Sequence, residues 1–457
     1  MHKKLINGYK KSSISSLDLN RQLVIYHSKL PTTDTASALT LTFFIRQVFL
    51  RSVLIFAFIA LLGNISYGQE LLNGYLKTAA ENNPGLQYRF NEYMAALERV
   101  DRVSSLPDPQ VAFGYFILPV ETKNGAQTFK ISYNQWFPWF GTLGQREDVY
   151  TQNAKAGYER FEEEKSKLFF DVKTAYYELF YIKTAIDITN ENLELLNSLK
   201  NMALIKLEAG KTSAVDELRV EMQLNELENK LAFLQDQQKL YIVKFNKLLN
   251  VQQNTVVNLP DSLEAPDYLL SYQAIQDSVR TNNHKIKAFD FRMDSYKNQE
   301  MLARKEGTPN ILVGADYIGI ADNGLGGDAG KDALFVKVGL SIPMYRKKYT
   351  AAINEAVLMQ QSVENSKLNE QNILDVLLEK SYADYLDARR RLLLYASQAD
   401  LAGKAIRILQ SEYATRGNNF EEILRMEKDL LRYELETQRA LADKLAAMAF
   451  MDYLIGN

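Results

Sequence analysis

The chain has 457 residues, room for two or three ordinary domains, and its 54 basic and 56 acidic side chains leave a net charge of −2. That balance excludes a nucleic-acid footprint. The absence of cysteine excludes disulfides, thiolate metal sites, a cysteine nucleophile and a lipidated N-terminal cysteine.

The chain begins with 42 residues of no clear role, followed by a secretory pattern: Arg46 and Arg51, an apolar run from Val53 to Leu62, then small residues up to Gly68. Ten apolar residues are too few to span ~30 Å of hydrocarbon. Cleavage is expected after Gly68, so 1–68 is an N-terminal extension with signal peptide. Removal takes His2 and His27 with it and leaves His284, so neither a histidine-centred metal site nor a cofactor is expected. With so few nucleophile–base pairs available, catalysis is not expected either.

Beyond the signal the chain reads as two copies of one unit: helix, two strands, very long helix, turn, returning helix. The first copy covers 69–250 and the second 271–457. A linker with Pro260 and Pro266 joins them over 251–270. Asn82-Asn83 recurs as Asn282-Asn283, Pro109 and Gly114 as Pro309 and Gly314, Pro138 as Pro343, and the turn residue Gly210 as Gly417.

The strands alternate with period two. Val111, Phe113, Tyr115 and Ile117 share one side of the first. Phe129, Ile131 and Tyr133 oppose Lys130, Ser132 and Asn134 in the second. Ile311, Val313, Ala315 and Tyr317 mark the third, and Leu334, Val336, Val338, Leu340 and Ile342 the fourth. Runs of about 9–11 residues, apolar on one side, fit a membrane barrel. Trp136, Phe137, Trp139 and Phe140 stand where an aromatic girdle would lie. Four strands cannot close a barrel in lipid, so several chains must contribute: two would supply eight strands, three would supply twelve and leave a lumen.

From Gln145 to Glu208 there is no proline and one glycine, and the spacing predicts a single helix about 95 Å long. Val172, Leu179, Ile186 and Leu193 form one heptad seam, with Ala175, Ile182, Leu196 and Ala203 three residues on. Leu224, Leu227, Leu231, Leu234, Tyr241, Phe245 and Leu248 continue it on the return. The second copy repeats the heptad at Tyr385, Leu392, Ala399, Ile406 and Tyr413. Gly210-Lys211-Thr212 is not a phosphate loop, because Ile205 stands where the first glycine belongs and a helix precedes it.

On its duplicated order, and on the turns Ala209–Leu218 and Arg416–Leu424, the chain resembles the TolC-like outer-membrane efflux factors over Glu70 to Asn457. Leu106-Pro107-Asp108-Pro109-Gln110 and Gln135-Trp136-Phe137-Pro138-Trp139-Phe140-Gly141 look like the branch that serves heavy-metal efflux pumps. The resemblance implies an α+β membrane protein: a homotrimer in which each protomer gives four strands to a 12-stranded outer-membrane β-barrel and long coiled-coil helices to a periplasmic tunnel. It implies a periplasmic adaptor protein and an inner-membrane efflux pump as partners. By position, the acids of the closed end fall on Asp216, Glu217, Glu421 and Glu422, with Arg425 where a further acid would stand. The same acids also suit the first turn of a helix. Gly210, Lys211, Thr212, Arg416, Gly417 and Asn418, at the exposed helix tips, are the candidate adaptor contacts. The function implied is a passive exit duct for small solutes, heavy-metal cations among them. The alternatives are the exit duct of a type I protein secretion system and a non-conducting periplasmic coiled-coil structural protein.

Overall fold

The computed structural model describes residues 67–457 except 211, 212, 323, 325, 328, 329, 417 and 418. The expected signal segment, up to position 66, lies outside the described residues. In chain order the elements are α1 (Tyr67–Asn82), α2 (Pro84–Ser104), β1 (Gln110–Tyr115), β2 (Glu121–Thr122), β3 (Gly125–Phe137), α3 (Thr142–Glu208) and α4 (Ala214–Leu248). Then follow α5 (Tyr272–Asn282), α6 (His284–Glu306), β4 (Asn310–Ile320), β5 (Ala333–Ser341), α7 (Arg346–Arg416) and α8 (Phe420–Ile455).

The long arm of the first copy has the expected extent, and that of the second copy matches it. α3 runs 67 residues and α7 runs 71, each about 100 Å at 1.5 Å per residue. The buried stripe of α3 passes through Leu168, Val172, Tyr176, Leu179, Ile182, Ala185, Thr189, Asn192, Leu196, Leu199 and Ala203, one position in every three or four. That is the coiled-coil repeat, carried through two polar residues. Thr189 returns its hydroxyl to the Ala185 carbonyl at 2.6 Å, which satisfies it inside the seam.

Where one helix was expected ahead of each strand pair, there are two. Asn83 and Asn283 break them by leaving the helical backbone, with ψ of 120° and 127°, and their side-chain oxygens accept from Gly85 and Leu86, and from Lys285 and Ile286, as N-caps. Each Asn amide then reaches the end of its returning helix: Asn83 Nδ2 donates to the Leu248 carbonyl and Asn283 Nδ2 to that of Leu454, both at 3.0 Å. The recurring Asn-Asn pairs are therefore anchors between short and long helices. Around each sits a core. One holds Leu72, Leu86, Val172, Tyr176 and Phe245; the other holds Ile275, Ile286, Leu378, Tyr385 and Met451.

The segment 251–270 is not helical but is packed down, with Val257, Leu259 and Leu263 against the first core and Tyr268 against the second. Lys444, buried, holds its far end through the Ala265 carbonyl at 2.8 Å and Asp267 at 2.9 Å. The arginine run of α7 faces partners as a charge run should: Arg389 meets Asp267, Arg390 meets Asp387, and Arg391 meets both Asp387 and Asp443.

The strands form one antiparallel sheet in the order β1-β3-β4-β5, with β2 a short addition to β3. The first strand is shorter than its alternation implies: β1 stops at Tyr115, and Ile117 lies beyond it. Among the described residues no helix is long and apolar enough to cross a membrane.

Candidate functional site

The sheet and the helical turns sit at opposite ends of the long arms, and each end carries an arrangement that the packing of a lone chain does not account for. In the sheet, register lines up two unlike faces. Val111, Tyr133, Ala315 and Val336 stand in one row across four strands, and Phe113, Ile131, Tyr317 and Leu334 in the next. This apolar face is largely uncovered along β1 and β5: Val111, Phe113, Tyr115, Val336, Val338 and Leu340 are each exposed by more than 60%. Among the described residues, the outer edges of β1 and β5 have no neighbouring strand.

The opposite face is polar. Asp316, only 3% exposed, receives Lys337 Nζ at 2.7 Å on one carboxylate oxygen and Lys130 Nζ at 2.8 Å on the other. Both contacts are diagonal across neighbouring strands, where long side chains reach. Gly314 makes the first possible. A Cβ there would stand 2.8 Å from Lys337 Cε and 2.7 Å from both Asn134 Oδ1 and the Tyr133 carbonyl, so any side chain would displace the lysine stem. Trp136 shares this polar face with Lys130, Ser132 and Asn134, not the apolar face of Phe137, since parity alternates along β3. The expected girdle therefore loses one of its four aromatics.

At the far end, Gly210 turns with φ +66°, the left-handed region that glycine enters freely. Ser213 caps α4 by accepting from Val215 N at 3.2 Å. Asn419, at φ 75°, leads into α8. Lys211, Thr212, Gly417 and Asn418 lie outside the described residues, as does the Arg416 side chain. Of the expected acids, Asp216 and Glu217 occupy the first turn of α4, and Glu421 and Glu422 that of α8. The structure brings Asp216 and Glu421 to one cation. Arg219 Nη1 lies 2.9 Å from Glu421 and 3.8 Å from Asp216, so it links the two hairpins. Arg425 pairs with Glu422 one turn away. Glu217 lies half-buried near Lys200, which pairs with Glu221.

Below the turns four helices meet in a closed core: Leu196, Leu199 and Ala203 of α3, Val220, Leu224 and Leu227 of α4, Tyr413 of α7, and Phe420, Ile423 and Leu424 of α8. Lys206 stands over the Tyr413 ring at 3.7 Å and donates to its carbonyl. One turn beyond Ile423 and Leu424 comes Glu427, 1% exposed. Neither of its carboxylate oxygens has a hydrogen-bond partner among the described residues. Burial pushes its carboxyl up to about 7, and the charge of Glu434 adds to the shift. Neither Arg219 nor Glu427 is among the residues expected from the sequence. The signal for the second was present: Phe420, Ile423, Leu424 and Leu431 follow a helical period whose missing member is position 427.

Outside the cores, two helices keep apolar stripes uncovered. α4 packs along α3, barely touches α8, and leaves Leu218, Met222, Phe233 and Leu240 exposed. α7 leaves Leu394, Leu401 and Ile408 exposed at intervals of seven.

The fold that positions these features is that of the TolC-like outer-membrane channels. The chain superimposes on the Neisseria gonorrhoeae MtrE outer-membrane channel with a TM-score of 0.70 at 14% identity, covering 84% of this chain and 89% of that one. For the outer-membrane channel OprN the TM-score is 0.68 at 18% identity, over 85% and 90%. For CusC, solved for its transmembrane channel formation, it is 0.62 at 16%, over 84% and 92%. By sequence the chain is 26% identical over 260 residues to an uncharacterised Haemophilus influenzae protein, and 23% identical over 268 residues to Toxin and drug export protein A of Aggregatibacter actinomycetemcomitans. It spans about half the length of these curated relatives, 55% in each case. No protein-family model matches it.

Proposed function

We propose that the protein is the outer-membrane channel of a tripartite efflux system, a passive duct for small solutes with a long periplasmic portion. The observation that carries this reading is the sheet. An apolar face this open, with unpaired edges on both sides, is stable only if something apolar covers it and other strands continue it. Lipid supplies the first and further copies of the chain the second. With four strands per protomer in the order β1-β3-β4-β5, β5 of one copy running beside β1 of the next, three copies close twelve strands antiparallel, and Lys130, Asp316 and Lys337 line the lumen. The same three-fold closure lays the bare stripe of α4 against the bare stripe of a neighbouring α7. The element order, run twice through helices, strands and hairpin, fits a duplication of one unit over 69–250 and 271–457.

Energy and direction come from partners, an inner-membrane pump and a periplasmic adaptor that meets the turns at Gly210–Thr212 and Arg416–Asn418. At the tip, symmetry multiplies Asp216, Glu217, Glu421 and Glu422 into a cation-attracting constriction, with Arg219 and Arg425 as counter-charges. Metal cations are the cargo favoured by the Leu106–Gln110 and Gln135–Gly141 segments. The partial match to Toxin and drug export protein A favours a second reading, a duct for secreted protein. Planar-bilayer recording of the purified protein tests the proposal. Discrete conductance steps are expected, and Asp216→Ala with Glu422→Ala should lower cation selectivity. A protein that never conducts would be a tether without a lumen, and unchanged selectivity would remove the constriction assignment.

A further inference from the structure

Among the described residues of the tip core, Glu427 is a carboxylate whose chemistry opposes its place. The stripe of α8 that enters the core runs Phe420, Ile423, Leu424, Glu427, Leu431. A carboxylate there loses its hydration and gains no donor among the described residues, a cost that neutralisation removes.

The charged groups on the packed elements do not compensate it. On α3, Lys200 is engaged by Glu221 and Lys206 by the Tyr413 carbonyl. Glu191 of α3 acts on Glu434 of α8, whose own carboxyl is raised by burial and then by that neighbour. On α4, Glu226 faces Lys428, while Lys230 is half-buried and held below its ordinary range by desolvation. On α7, Lys404 pairs with Asp400, and Arg407 and Glu412 are exposed. The charge that reaches Glu427 is that of Glu434, seven residues along the same face, and it is of like sign.

We infer that Glu427 is a proton-operated release for the closed tip: protonated, it is accommodated among Ile423, Leu424 and Leu431, and ionised, it favours the loosened arrangement in which water reaches it. The consequence for conduction rests on the channel reading; the loosening itself does not. The sign follows from linkage. The carboxyl is held above its ordinary 4.5 in the packed tip and returns to it when hydrated. The closed state is therefore penalised above about pH 4.5, increasingly so until about pH 7, where the penalty levels off. Between pH 6 and pH 8 the opening equilibrium should rise about tenfold.

Hydrogen–deuterium exchange of the full-length protein in detergent reads this directly, as protection factors corrected for intrinsic rates. Peptides over 196–227 and 405–431 should lose about tenfold protection from pH 6 to pH 8, while those around 168–180 stay constant. E427Q and E427M both remove the titration, the second with an apolar side chain suited to the core, and both should give flat profiles at the tip. A flat wild type, or a slope that survives in either variant, overturns the inference. Conductance of the same preparation separates the two levels. Channels with a flat exchange profile would sink the release and keep the duct, and a non-conducting protein with the tenfold slope would do the reverse.

Discussion

Phe335 and Val336 are neighbours on β5, exposed by 56% and 67% in the protomer, yet they point to opposite faces of the sheet. Phe335 lies across from Asp316 on the polar side, and Val336 across from Ala315 in the apolar row. If water bathed both faces, an arginine at either site would change stability by about 0.5 kcal/mol or less, as surface substitutions do. If the apolar face meets lipid, the two diverge. Val336 is near the middle of its strand, and arginine at the bilayer midplane on the lipid side costs about 2–4 kcal/mol per protomer. A loss of 2 kcal/mol is already about thirtyfold in the folded fraction. Phe335→Arg, placed beside Asp316 and facing the lumen, should stay within about 1 kcal/mol of the parent. Refolding into lipid vesicles across a urea series, followed by gel mobility of unheated samples, measures both. Equal behaviour of the two variants, or a larger loss for Phe335→Arg, would refute the assignment of lipid and lumen faces.

Arg219→Ala removes the cation between Asp216 and Glu421, a half-exposed link worth about 0.2–1 kcal/mol per protomer; open probability in bilayers should rise modestly, and high salt should produce the same rise in the parent but not in the variant. Asn83→Ala and Asn283→Ala each delete a helix cap and a tie to a returning helix, so denaturant titration should show losses of about 1–2 kcal/mol. The loss should be larger for Asn283, which is fully buried.

What was legible in the sequence was whatever repeats locally. Period two gave the strands and their two faces, 3.5-residue spacing gave the long arms, and Gly210 marked a turn that needs positive φ. The break at Asn83 was also legible, because Pro84 follows a good N-cap residue; at Asn283 only the recurrence of Asn-Asn pointed to it. Pairings between distant segments were not legible. Arg219 and Glu421 are brought together only once the first turns of α4 and α8 meet at the tip, and Asp316 meets Lys130 and Lys337 only through the register of three strands. No local window holds both members of either set. The length of β1 was overread for a related reason: alternation continues to Ile117, but pairing with β3 in the ladder ends at Tyr115, and a strand needs the partner as well as the pattern.

Each end of the rod carries residues that violate local rules. Between them the buried stripe of α3 keeps coiled-coil spacing with Thr189 satisfied by its own helix, and the arginines of α7 are matched to aspartates. At the sheet, large apolar side chains lie open; at the tip, a carboxylate is shut in without a donor. A soluble monomer would gain stability by reversing both, with polar groups on the sheet and leucine at position 427. Their placement makes physical sense if the missing environment is supplied from outside, lipid at one end and water at the other when the tip opens. Leucine at 427 would then give a tighter tip that no longer senses pH, and polar residues on the sheet would give a protomer that no longer enters a bilayer. On the channel reading, each end gives up local stability for a change of environment that the function requires.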